Sequence, residues 1–469
     1  MTVAANALQS RISTLRKEIG GTLLEPADDG YDAARTITYG GMDRHPAAIV
    51  KVAGVDDIRL VLAAARETGA ELAVRSGGHS GAGYGTTEGG LVIDLRDLRA
   101  IDIDPGTRTA WAETGLTAAD VSKAAAEHGL AIGFGDTGSV GIGGITTGGG
   151  IGYLVRKHGL TIDNVLGADV VTADGALVRA DPETNPDLFW AIRGGGGNFG
   201  IVTRFHYQLA ELPQVVGGML FLPLNAEIIQ RFVELAEAAP EELSGIANAM
   251  PCPPMPMVDA AWHGKLVLFG LLCFAGDSAA GEAALRPFRD LSKLAGVEKP
   301  LADLVRPMPY PEMFPPEEGD YHPTAVSLNL LIDRFDRETA DAIMAQLEAS
   351  DAAMRAVQIR VMGGAMARVR WDATAFAHRT RKIMINVACF YEGEADKPVR
   401  QDWVDRTAEA IRRTAGATDR CAYVNFVNDE GAERIHDIYP DEIYRRLAEI
   451  KRRYDPGNVF RLNQNVPPA

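Results

Sequence analysis

Three glycine-rich segments between Gly77 and Gly200 restrict the fold of this chain more than any other feature of its sequence. The chain has 469 residues and 50 glycines, and seven of these glycines lie within residues 141–152. Glycine offers no side chain to a hydrophobic core and loses the most conformational freedom on ordering. The isoleucines between the glycines of this segment indicate an ordered, partly buried structure rather than a flexible loop. We therefore expect a large ligand to pack against this backbone.

The first glycine-rich segment, Arg75-Ser76-Gly77-Gly78-His79-Ser80, follows the apolar residues 72–74. Glycines in such a turn permit positive φ and bring backbone N–H groups against anionic oxygens, and Arg75 and Ser76 are expected to add charge-assisted contacts. A glycine pair after a strand is often only a turn, and a single histidine in it only a polar side chain. The alternative interpretation, a diphosphate cradle, places His79 beside the bound ligand.

The third glycine-rich segment contains Gly195, Gly197 and Gly200 in a formal G-x-G-x-x-G pattern. This pattern indicates a nicotinamide dinucleotide site only where it follows a strand and opens a helix. Here it follows a predicted helix and precedes a β-rich stretch, so we reject that assignment. Three glycine segments in one mixed domain instead suit an extended dinucleotide such as FAD, bound without a Rossmann turn.

The formal net charge of −16 argues against nucleic acid as a partner, and no local run of lysine and arginine offsets it. No apolar run approaches the length that spans a membrane, and the first twenty residues predict an amphipathic helix rather than a signal sequence. The four cysteines are widely separated and form no C-x-x-C pair, so neither a zinc site nor a disulfide framework is expected. These features predict a cytoplasmic protein without a metal site, and they do not indicate its oligomeric state.

The predicted fold class is α+β, with two domains. Residues 1–212 are expected to form an FAD-binding domain with its core at about 42–212, because short β-rich runs alternate there with helices. Residues 213–430 are expected to form a substrate domain, an antiparallel sheet backed by long amphipathic helices. The C-terminal segment, 431–469, is too short for a domain and is expected to return to the first one.

Several elements can be predicted individually. Asp174-Gly175 between two apolar arms is a strong hairpin signal. Amphipathic periodicity predicts helices in both domains, and β-branched apolar runs predict strands between them. The predicted helices are 56–68, 118–128, 186–192, 226–239, 279–295, 338–349, 400–415 and 442–453, and the predicted strands are 48–52, 71–74, 91–95, 109–113, 200–207, 265–274, 325–332, 358–362 and 382–390.

Five motifs together resemble the berberine bridge enzyme-like flavoproteins of the vanillyl-alcohol oxidase superfamily, whose FAD domain is of the PCMH type. They are residues 75–80, 140–152, 187–191, 194–200 and 454–464. In the substrate domain the resemblance rests only on Gly363-Gly364, Phe376-x-His378-Arg379 and Tyr423-x-Asn425. It implies FAD contacts at Arg75, Ser76, Gly77, Gly78, His79, Ser80, Thr137, Val140, Gly141, Gly143, Gly144, Thr147, Gly150, Gly152, Ile201, Val202, Asn463 and Asn465.

The resemblance implies that His79 is covalently bonded to the 8α-methyl carbon of the flavin, which would raise the potential of the ring. Many members carry a second link through a cysteine, at the position that is Thr137 here. A hydroxyl does not replace a thiolate nucleophile, so a single covalent link is expected. The family also implies that Val140 lets oxygen reach the reduced flavin, which favours an oxidase over a dehydrogenase.

The catalytic base is where this sequence departs from the family. Many members have a tyrosine at the position of Phe426, and the plant alkaloid enzymes have a glutamate near Arg368. Phenylalanine takes no proton, and arginine stays charged near neutral pH, so neither can be the base. Arg368 is instead expected to hold an anionic or phenolic substrate, or the charge of the reduced flavin. The candidate bases are Tyr153, Tyr391, Tyr423, His322, His378 and Asp429, with core hydrogen bonding the alternative role of His378.

The resemblance implies an FAD-dependent oxidase that takes a hydride from a small alcohol, amine or phenol-bearing molecule at flavin N5. Molecular oxygen would then regenerate the flavin and release hydrogen peroxide. Two alternatives stay open: a flavin-dependent oxygenase acting on a polyketide-like substrate, and a flavin-binding protein that has lost catalysis. The sequence identifies neither the substrate nor the base.

Overall fold

A four-stranded sheet and a five-stranded sheet form the N-terminal part of the protein in the computed structural model, which describes residues 3–314, 322–428 and 430–469. The four-stranded sheet has the order β1-β2-β4-β3, and all its pairings are parallel except that of β1 with β2. Its helices α1 and α3 pack against each other over a core of Val, Ile and Leu side chains. The strands are β1 (Thr22–Leu24), β2 (Ala48–Lys51), β3 (Leu72–Arg75) and β4 (Leu91–Asp94), and the helices are α1 (Val3–Glu18), α2 (Tyr31–Arg35) and α3 (Val55–Thr68).

The five-stranded sheet is antiparallel throughout and has the order β5-β6-β10-β8-β9. The hairpin predicted at Asp174-Gly175 is confirmed, because β8 and β9 pair across that turn. A two-strand ribbon of β7 and β11 lies beside it. The strands are β5 (Ile101–Asp104), β6 (Thr109–Glu113), β7 (Leu130–Ala131), β8 (Val165–Val171), β9 (Leu177–Ala180), β10 (Ile201–Gln208) and β11 (Ala210–Glu211), and the helices are α4 (Ala118–Ala126), α5 (Ile142–Gly148), α6 (Val155–His158) and α7 (Pro186–Ala191).

An eight-stranded antiparallel sheet follows, with the order β15-β12-β14-β13-β18-β19-β17 and β16 paired to β12. Helices α8, α9, α10 and α12 pack on it over one apolar core, as expected of amphipathic helices whose apolar faces need cover. The strands are β12 (Val215–Pro223), β13 (Leu243–Pro251), β14 (Leu266–Phe274), β15 (Ala302–Asp303), β16 (Arg306–Met308), β17 (Ala325–Ile332), β18 (Arg355–Val361) and β19 (Ile383–Phe390), and the helices are α8 (Ala226–Ala238), α9 (Ser278–Arg289), α10 (Arg337–Ala349), α11 (Ala365–Arg368) and α12 (Lys397–Thr414).

These elements confirm the α+β fold class and the antiparallel sheet backed by helices. Strands β12 and β13 were absent from the sequence-based prediction, because each contains glycine or polar residues that interrupt its apolar run. The predicted helix 279–295 ends earlier as an α-helix, at Arg289, and continues as a 3₁₀ turn to Ala295. Helices α13 (Ile435–Ile438) and α14 (Asp441–Tyr454) complete the chain before its irregular C-terminus.

Candidate active site

A cavity of about 360 Å³ lies where the first two sheets, the eight-stranded sheet and the C-terminal segment meet. One side of its wall consists of the glycine-rich segments and Asn463. The other side comes from β17, β19 and the turn that holds Tyr423 and Phe426. Fifteen of the residues expected to contact FAD line the cavity: Arg75, Ser76, Gly77, Gly78, His79, Ser80, Thr137, Val140, Gly141, Gly143, Gly144, Thr147, Ile201, Val202 and Asn463.

The charge of Arg75 is used inside the protein rather than offered to the cavity. Its guanidinium is buried, donates to the carboxylate of Asp94 at 2.9 Å, and donates to the backbone carbonyls of Ala34 and Thr36. The Ser76 hydroxyl is likewise engaged, since it donates to the Thr114 carbonyl at 2.5 Å. Both side chains thus have partners within the protein, and their contacts to a bound anion stay a prediction.

The backbones of the first and second glycine-rich segments lie in close contact. A Cβ on Gly77 would collide with the backbone of Gly141, and a Cβ on Gly141 would collide with Gly77. The backbone N–H of Gly143 donates to the Ser76 hydroxyl oxygen at 3.1 Å, which ties the two segments together. At Gly144, by contrast, a Cβ would meet no protein atom within 4 Å, because this backbone faces the cavity.

The second glycine-rich segment is ordered as predicted, but its first half is helix α5 rather than a loop. The N-terminal turn of α4 holds the loop that precedes α5. The N–H group of Ala118 donates to the Val140 carbonyl, and that of Ala119 donates to the Gly138 carbonyl, both at 2.9 Å. These N–H groups have no partner within their own helix, so the loop that carries Thr137 satisfies them. This contact presents Thr137 and Val140 at the cavity wall.

His79 lies at the cavity with its imidazole positioned by the same loop. The hydroxyl of Ser139 is 2.9 Å from His79 Nε2. The backbone N–H of Thr38 donates to the Gly78 carbonyl at 3.2 Å, so the chain before α3 also holds this turn. The imidazole is thus fixed in orientation beside the space that a ligand would fill.

Gly150, Gly152 and Asn465 were expected to contact the cofactor, but they lie behind the cavity wall. A Cβ on Gly150 would collide with the Thr161 side chain, and a Cβ on Gly152 with the Gly135 backbone. These two glycines therefore allow close packing of the segment, which explains their residue type without a ligand. The Asn465 side-chain oxygen is buried and accepts no hydrogen bond in the described part of the chain.

The C-terminal segment is attached to the third glycine-rich segment by a buried lysine. The Lys451 ammonium donates to the Asp455 carboxylate at 2.7 Å, to the Asn198 carbonyl at 2.7 Å and to the Phe460 carbonyl at 2.8 Å. Asn198 returns the contact, since its side chain binds the backbone of Gln464 and Val466. The segment that carries Asn463 is therefore anchored against the third glycine-rich segment.

The wall of the cavity suits an extended dinucleotide. Gly144 presents bare backbone to the space, and the buried Asn463 side-chain oxygen there has no partner in the described part of the chain. Backbone of this kind and an unpartnered amide oxygen are suited to the diphosphate and the hydrogen-bonding edges of FAD. The residues present thus fit the group that the sequence motifs predict.

Tyr423 is the one candidate base in the described residues that reaches this cavity. Its hydroxyl oxygen accepts hydrogen bonds from the Gly150 N–H at 2.8 Å and from the Asn425 side chain at 2.9 Å. Burial raises the pKa of the Tyr423 phenol above its ordinary value. Phe426 follows it at the cavity wall, where a base would stand in many members of the family.

The other candidate bases lie elsewhere. The Tyr153 hydroxyl is buried at 3.4 Å from the Asp136 carbonyl, and burial raises the pKa of Tyr153. His378 is a core residue that hydrogen-bonds the Asp437 carbonyl at 3.0 Å, and burial lowers the pKa of His378. Tyr391 and His322 line a separate hollow at the end of the eight-stranded sheet. None of these four side chains lines the cavity, so the assignment of the base to one of them stays a prediction. Asp429 lies outside the described residues.

Arg368, which was expected to hold an anionic or phenolic substrate or the charge of the reduced flavin, does not line the cavity. Its side chain is 61% exposed at the end of α11, where it forms an ion pair with Glu241 on the protein surface. The buried arginine of this region is Arg360, on β18, whose side chain is 5% exposed and reaches toward Asp136 behind Phe426. In the sequence, Arg360 lies within the predicted strand 358–362, but this position does not show which way its side chain points.

Two further residues at the cavity were missed. Asp136 lines it directly before Thr137, and the Tyr39 phenol lines it from the chain before α3. Burial raises the pKa of Tyr39, and the nearby Asp136 carboxylate raises it further. Neither residue belongs to a motif, so only the tertiary structure brings them together.

Comparison with known proteins identifies the family. A family model described as an FAD binding domain matches residues 46–181, and one described as berberine and berberine like matches residues 422–467. The (R)-6-hydroxynicotine oxidase of Paenarthrobacter nicotinovorans is 31% identical over 462 residues, which cover 96% of this chain and 97% of that protein. The chain belongs to the berberine bridge enzyme-like FAD-linked oxidoreductases.

Other members of the berberine bridge enzyme-like family agree with this assignment. A xylooligosaccharide oxidase of Thermothelomyces thermophilus is 30% identical and is matched over 88% of its length, with 90% of this chain covered. The crystal structure of 6-hydroxy-D-nicotine oxidase from Arthrobacter nicotinovorans matches with a TM-score of 0.83 at 28% identity, covering 96% of this chain and 98% of that one. Physcomitrella patens BBE-like 1 shares the fold, with a TM-score of 0.85 at 21% identity over 97% and 99% of the two chains. The protein is an FAD-dependent oxidoreductase of the oxidase type.

Two further features concern residues 3–314, 322–428 and 430–469. None of their helices combines the length and apolar character needed to cross a membrane. No group of three or more histidine, cysteine, aspartate or glutamate side chains among them is arranged to hold a metal ion.

Proposed function

We propose that this protein is an oxidase whose FAD is bonded through a single covalent link to His79 and which passes electrons from a small organic substrate to molecular oxygen, releasing hydrogen peroxide. The observation that carries the proposal is the position of His79, oriented by Ser139 at the wall of a cavity whose backbone suits a dinucleotide. When bound, FAD supplies the hydride acceptor, its N5 atom.

A single link is favoured by the cavity wall. Thr137 stands there, and among the described residues no cysteine lines the cavity. Cys252, Cys273, Cys389 and Cys421 are all buried in other parts of the protein. A second attachment would need a thiolate, and a threonine hydroxyl is far too weakly acidic to replace it.

The residues around the cavity would share the remaining work. The glycine-rich segments and Asn463 would hold the cofactor, and the small Val140 side chain would leave oxygen access to the ring. The substrate side of the wall has both apolar groups, such as Phe426, and hydrogen-bonding groups, such as Asn386 and Ser327. This mixture suits a small aromatic alcohol, amine or phenol. Two of the relatives are named as oxidases of (R)-6-hydroxynicotine and of xylooligosaccharide.

We also propose the domain boundaries given by the sequence, with residues 1–212 and 431–469 holding the cofactor and 213–430 facing it. The buried contacts of Lys451 support the return of the C-terminal segment to the first domain. Core residues Met362, Met366 and Phe376 pack with the five-stranded sheet, so the two domains share part of one core.

The experiment is acid denaturation of the purified protein followed by intact-mass measurement. We expect a yellow pellet whose mass exceeds that of the chain by one flavin, and we expect His79→Ala to give an unmodified chain. Thr137→Cys should produce a second link that proteolytic mapping can locate. A colourless wild-type pellet would rule out the covalent link.

Oxygen as the acceptor needs a separate assay. A panel of aromatic alcohols, amines and oligosaccharides is screened by bleaching of the flavin, and peroxide is then measured against substrate consumed. Equal amounts of the two support the oxidase. Oxygen atoms from ¹⁸O₂ in the organic product would support an oxygenase instead.

A further inference from the structure

Asp136 provides the one carboxylate among the described residues that line the cavity. Its side chain is 18% exposed, so it stands in the wall rather than in solvent. It lies immediately before Thr137, in the loop held by the N-terminal turn of α4. The carboxylate therefore has a fixed backbone and faces the space beside the flavin-binding segments.

Arg360 holds this carboxylate from the opposite domain. Its Nη2 donates to Asp136 Oδ2 at 2.8 Å and to Gln358 Oε1 at 2.7 Å, and its Nε donates to the same Gln358 oxygen at 2.9 Å. The guanidinium also lies 5.1 Å from the centre of the Phe426 ring. Four contacts from three segments fix the arginine, so it can hold the carboxylate in one orientation.

The pairing uses only half of the carboxylate. Asp136 Oδ1 accepts no hydrogen bond from the described part of the chain, and this atom is not fully buried. A carboxylate has lone pairs on both oxygens, so Oδ1 is available to a donor that enters the cavity. The ion pair with Arg360 cancels the charge of Asp136. The Asp136 carboxylate therefore attracts a cationic substrate little more than a hydrogen bond would.

Two phenols of the cavity, Tyr39 and Tyr423, do not compete with Asp136 Oδ1 as acceptors for a substrate hydroxyl. Burial raises the pKa of both Tyr39 and Tyr423, so both keep their protons near neutral pH. The Tyr423 oxygen also already accepts two hydrogen bonds from the protein. Both phenols are therefore poorer acceptors for a substrate hydroxyl than a carboxylate oxygen is.

We propose that Asp136 Oδ1 accepts the hydrogen bond of a substrate hydroxyl, and that the enzyme therefore takes neutral alcohols or phenols rather than cationic amines. Arg360 is the positioning residue, since it holds Asp136 without touching the substrate. The inference rests on the proposed oxidase function and names the substrate class of the same cavity. It also assigns a protein group to the substrate hydroxyl at a site where Phe426 has none to offer.

The test is a titration of 4-nitrophenol bound to the holoenzyme, read as its difference spectrum over pH. Wild-type protein should bind the neutral phenol and raise its pKa above the solution value. Asp136→Asn should lower the pKa of the bound probe by about one unit or more relative to wild type, because Arg360 then faces the probe unpaired. Arg360→Gln should raise it, because the carboxylate then acts alone. Opposite shifts from the two variants are not expected of general damage to the site.

A matched control comes from a second buried ion pair, Asp163 with Arg379, joined at 2.7 Å and absent from the cavity lining. Asp163→Asn should leave the pKa of the bound probe unchanged. The proposal is overturned if the Asp136 and Arg360 variants shift the probe in the same direction, or if Asp163→Asn shifts it equally. It is also overturned if wild-type protein binds benzylammonium more tightly than benzyl alcohol, or does not bind 4-nitrophenol at all.

This readout needs neither turnover nor a covalent flavin. A protein without the His79 link, or without peroxide production, would fail the tests of the proposed function and still report the pKa of the probe. Conversely, a true oxidase of amines would pass those tests and fail this one. The two inferences can therefore fail separately.

Discussion

Replacement of Lys451 by methionine should weaken the attachment of the C-terminal segment more than any comparable surface change. Methionine keeps the apolar stem but removes the ammonium, and with it three hydrogen bonds. Both Lys451 and its partner Asp455 are fully buried, so water cannot replace the lost contacts. Burial lowers the pKa of Lys451, which reflects the same cost of holding a charge there.

The loss of unfolding free energy depends on the hydrogen bonds that Asp455 keeps in the variant. Removing one member of a buried ion pair costs about 3–5 kcal/mol, because the other charge is left buried without its partner. Asp455 still accepts the N–H groups of Val459 at 2.8 Å and Phe460 at 2.9 Å, so the lower end of this range, about 3 kcal/mol, is expected. With a urea dependence of about 3 kcal/mol per molar, the unfolding midpoint should fall by about 1 M.

The assay is urea denaturation followed by flavin release and by far-ultraviolet circular dichroism, since a protein with several sheets need not unfold in one step. Lys293→Met is the matched control, because Lys293 also pairs with an aspartate at 2.7 Å, but both side chains are about half exposed. This control should not change the midpoint measurably. In Lys451→Met/Asp455→Asn, part of the loss should return, because no buried charge is left without a partner.

Two results would refute the reasoning. One is a Lys451→Met midpoint within about 0.3 M of wild type, which would mean that the buried pair contributes little. The other is a double variant less stable than Lys451→Met, because it would show that the unpaired charge is not the source of the loss. Either result would leave the C-terminal segment held by its Asn198 contacts rather than by the lysine.

Further predictions concern the cavity and its surroundings. Gly144→Ala should fold at least as stably as wild type, because alanine favours a helix. It should nevertheless bind FAD weakly, because its methyl group enters the cavity. The control is Gly54→Ala, which also places its methyl group in open space but away from the cavity and should bind FAD normally. The pKa of Asp94 is lowered: burial acts to raise this pKa, but the arginine partners outweigh burial. The Asp94 carboxylate therefore stabilises the folded protein above the ordinary carboxyl pKa, and this stabilisation is lost as pH falls through the lowered pKa. Urea midpoints should thus decline in acid for wild type and much less steeply for Asp94→Asn. Arg368→Gln should leave turnover unchanged, since its surface pair with Glu241 is remote from the cavity.

The contrast between Arg368 and Arg360 illustrates how far the sequence could lead. Both arginines follow apolar residues in one region, and nothing local distinguishes the exposed one from the buried one. The distinction depends on the pairing of β18 between β13 and β19, which turns Arg360 inward. Strand neighbours far apart in sequence set that register, so local periodicity does not predict it.

Tertiary packing likewise decided which of the candidate bases reaches the cavity. Tyr153, Tyr391 and His378 are ordinary members of apolar or mixed segments, and tertiary packing buries each away from the cavity. Tyr423 reached the cavity because its turn packs on Gly150, which lies 273 residues earlier in the chain. Side-chain chemistry alone does not separate these four residues.

The sequence by itself determined the fold class, the family and FAD as the cofactor. These rest on local patterns: glycines that leave room for a backbone-lined cavity, hydrophobic periodicities, and short motifs whose residues are close together in the chain. The tertiary structure alone decided which polar groups outside the motifs line the cavity. Asp136 and Arg360 are 224 residues apart, and they meet because a loop at α4 faces a strand of another sheet. The packing of the whole molecule brings these two residues together, so no short stretch of sequence encodes their contact.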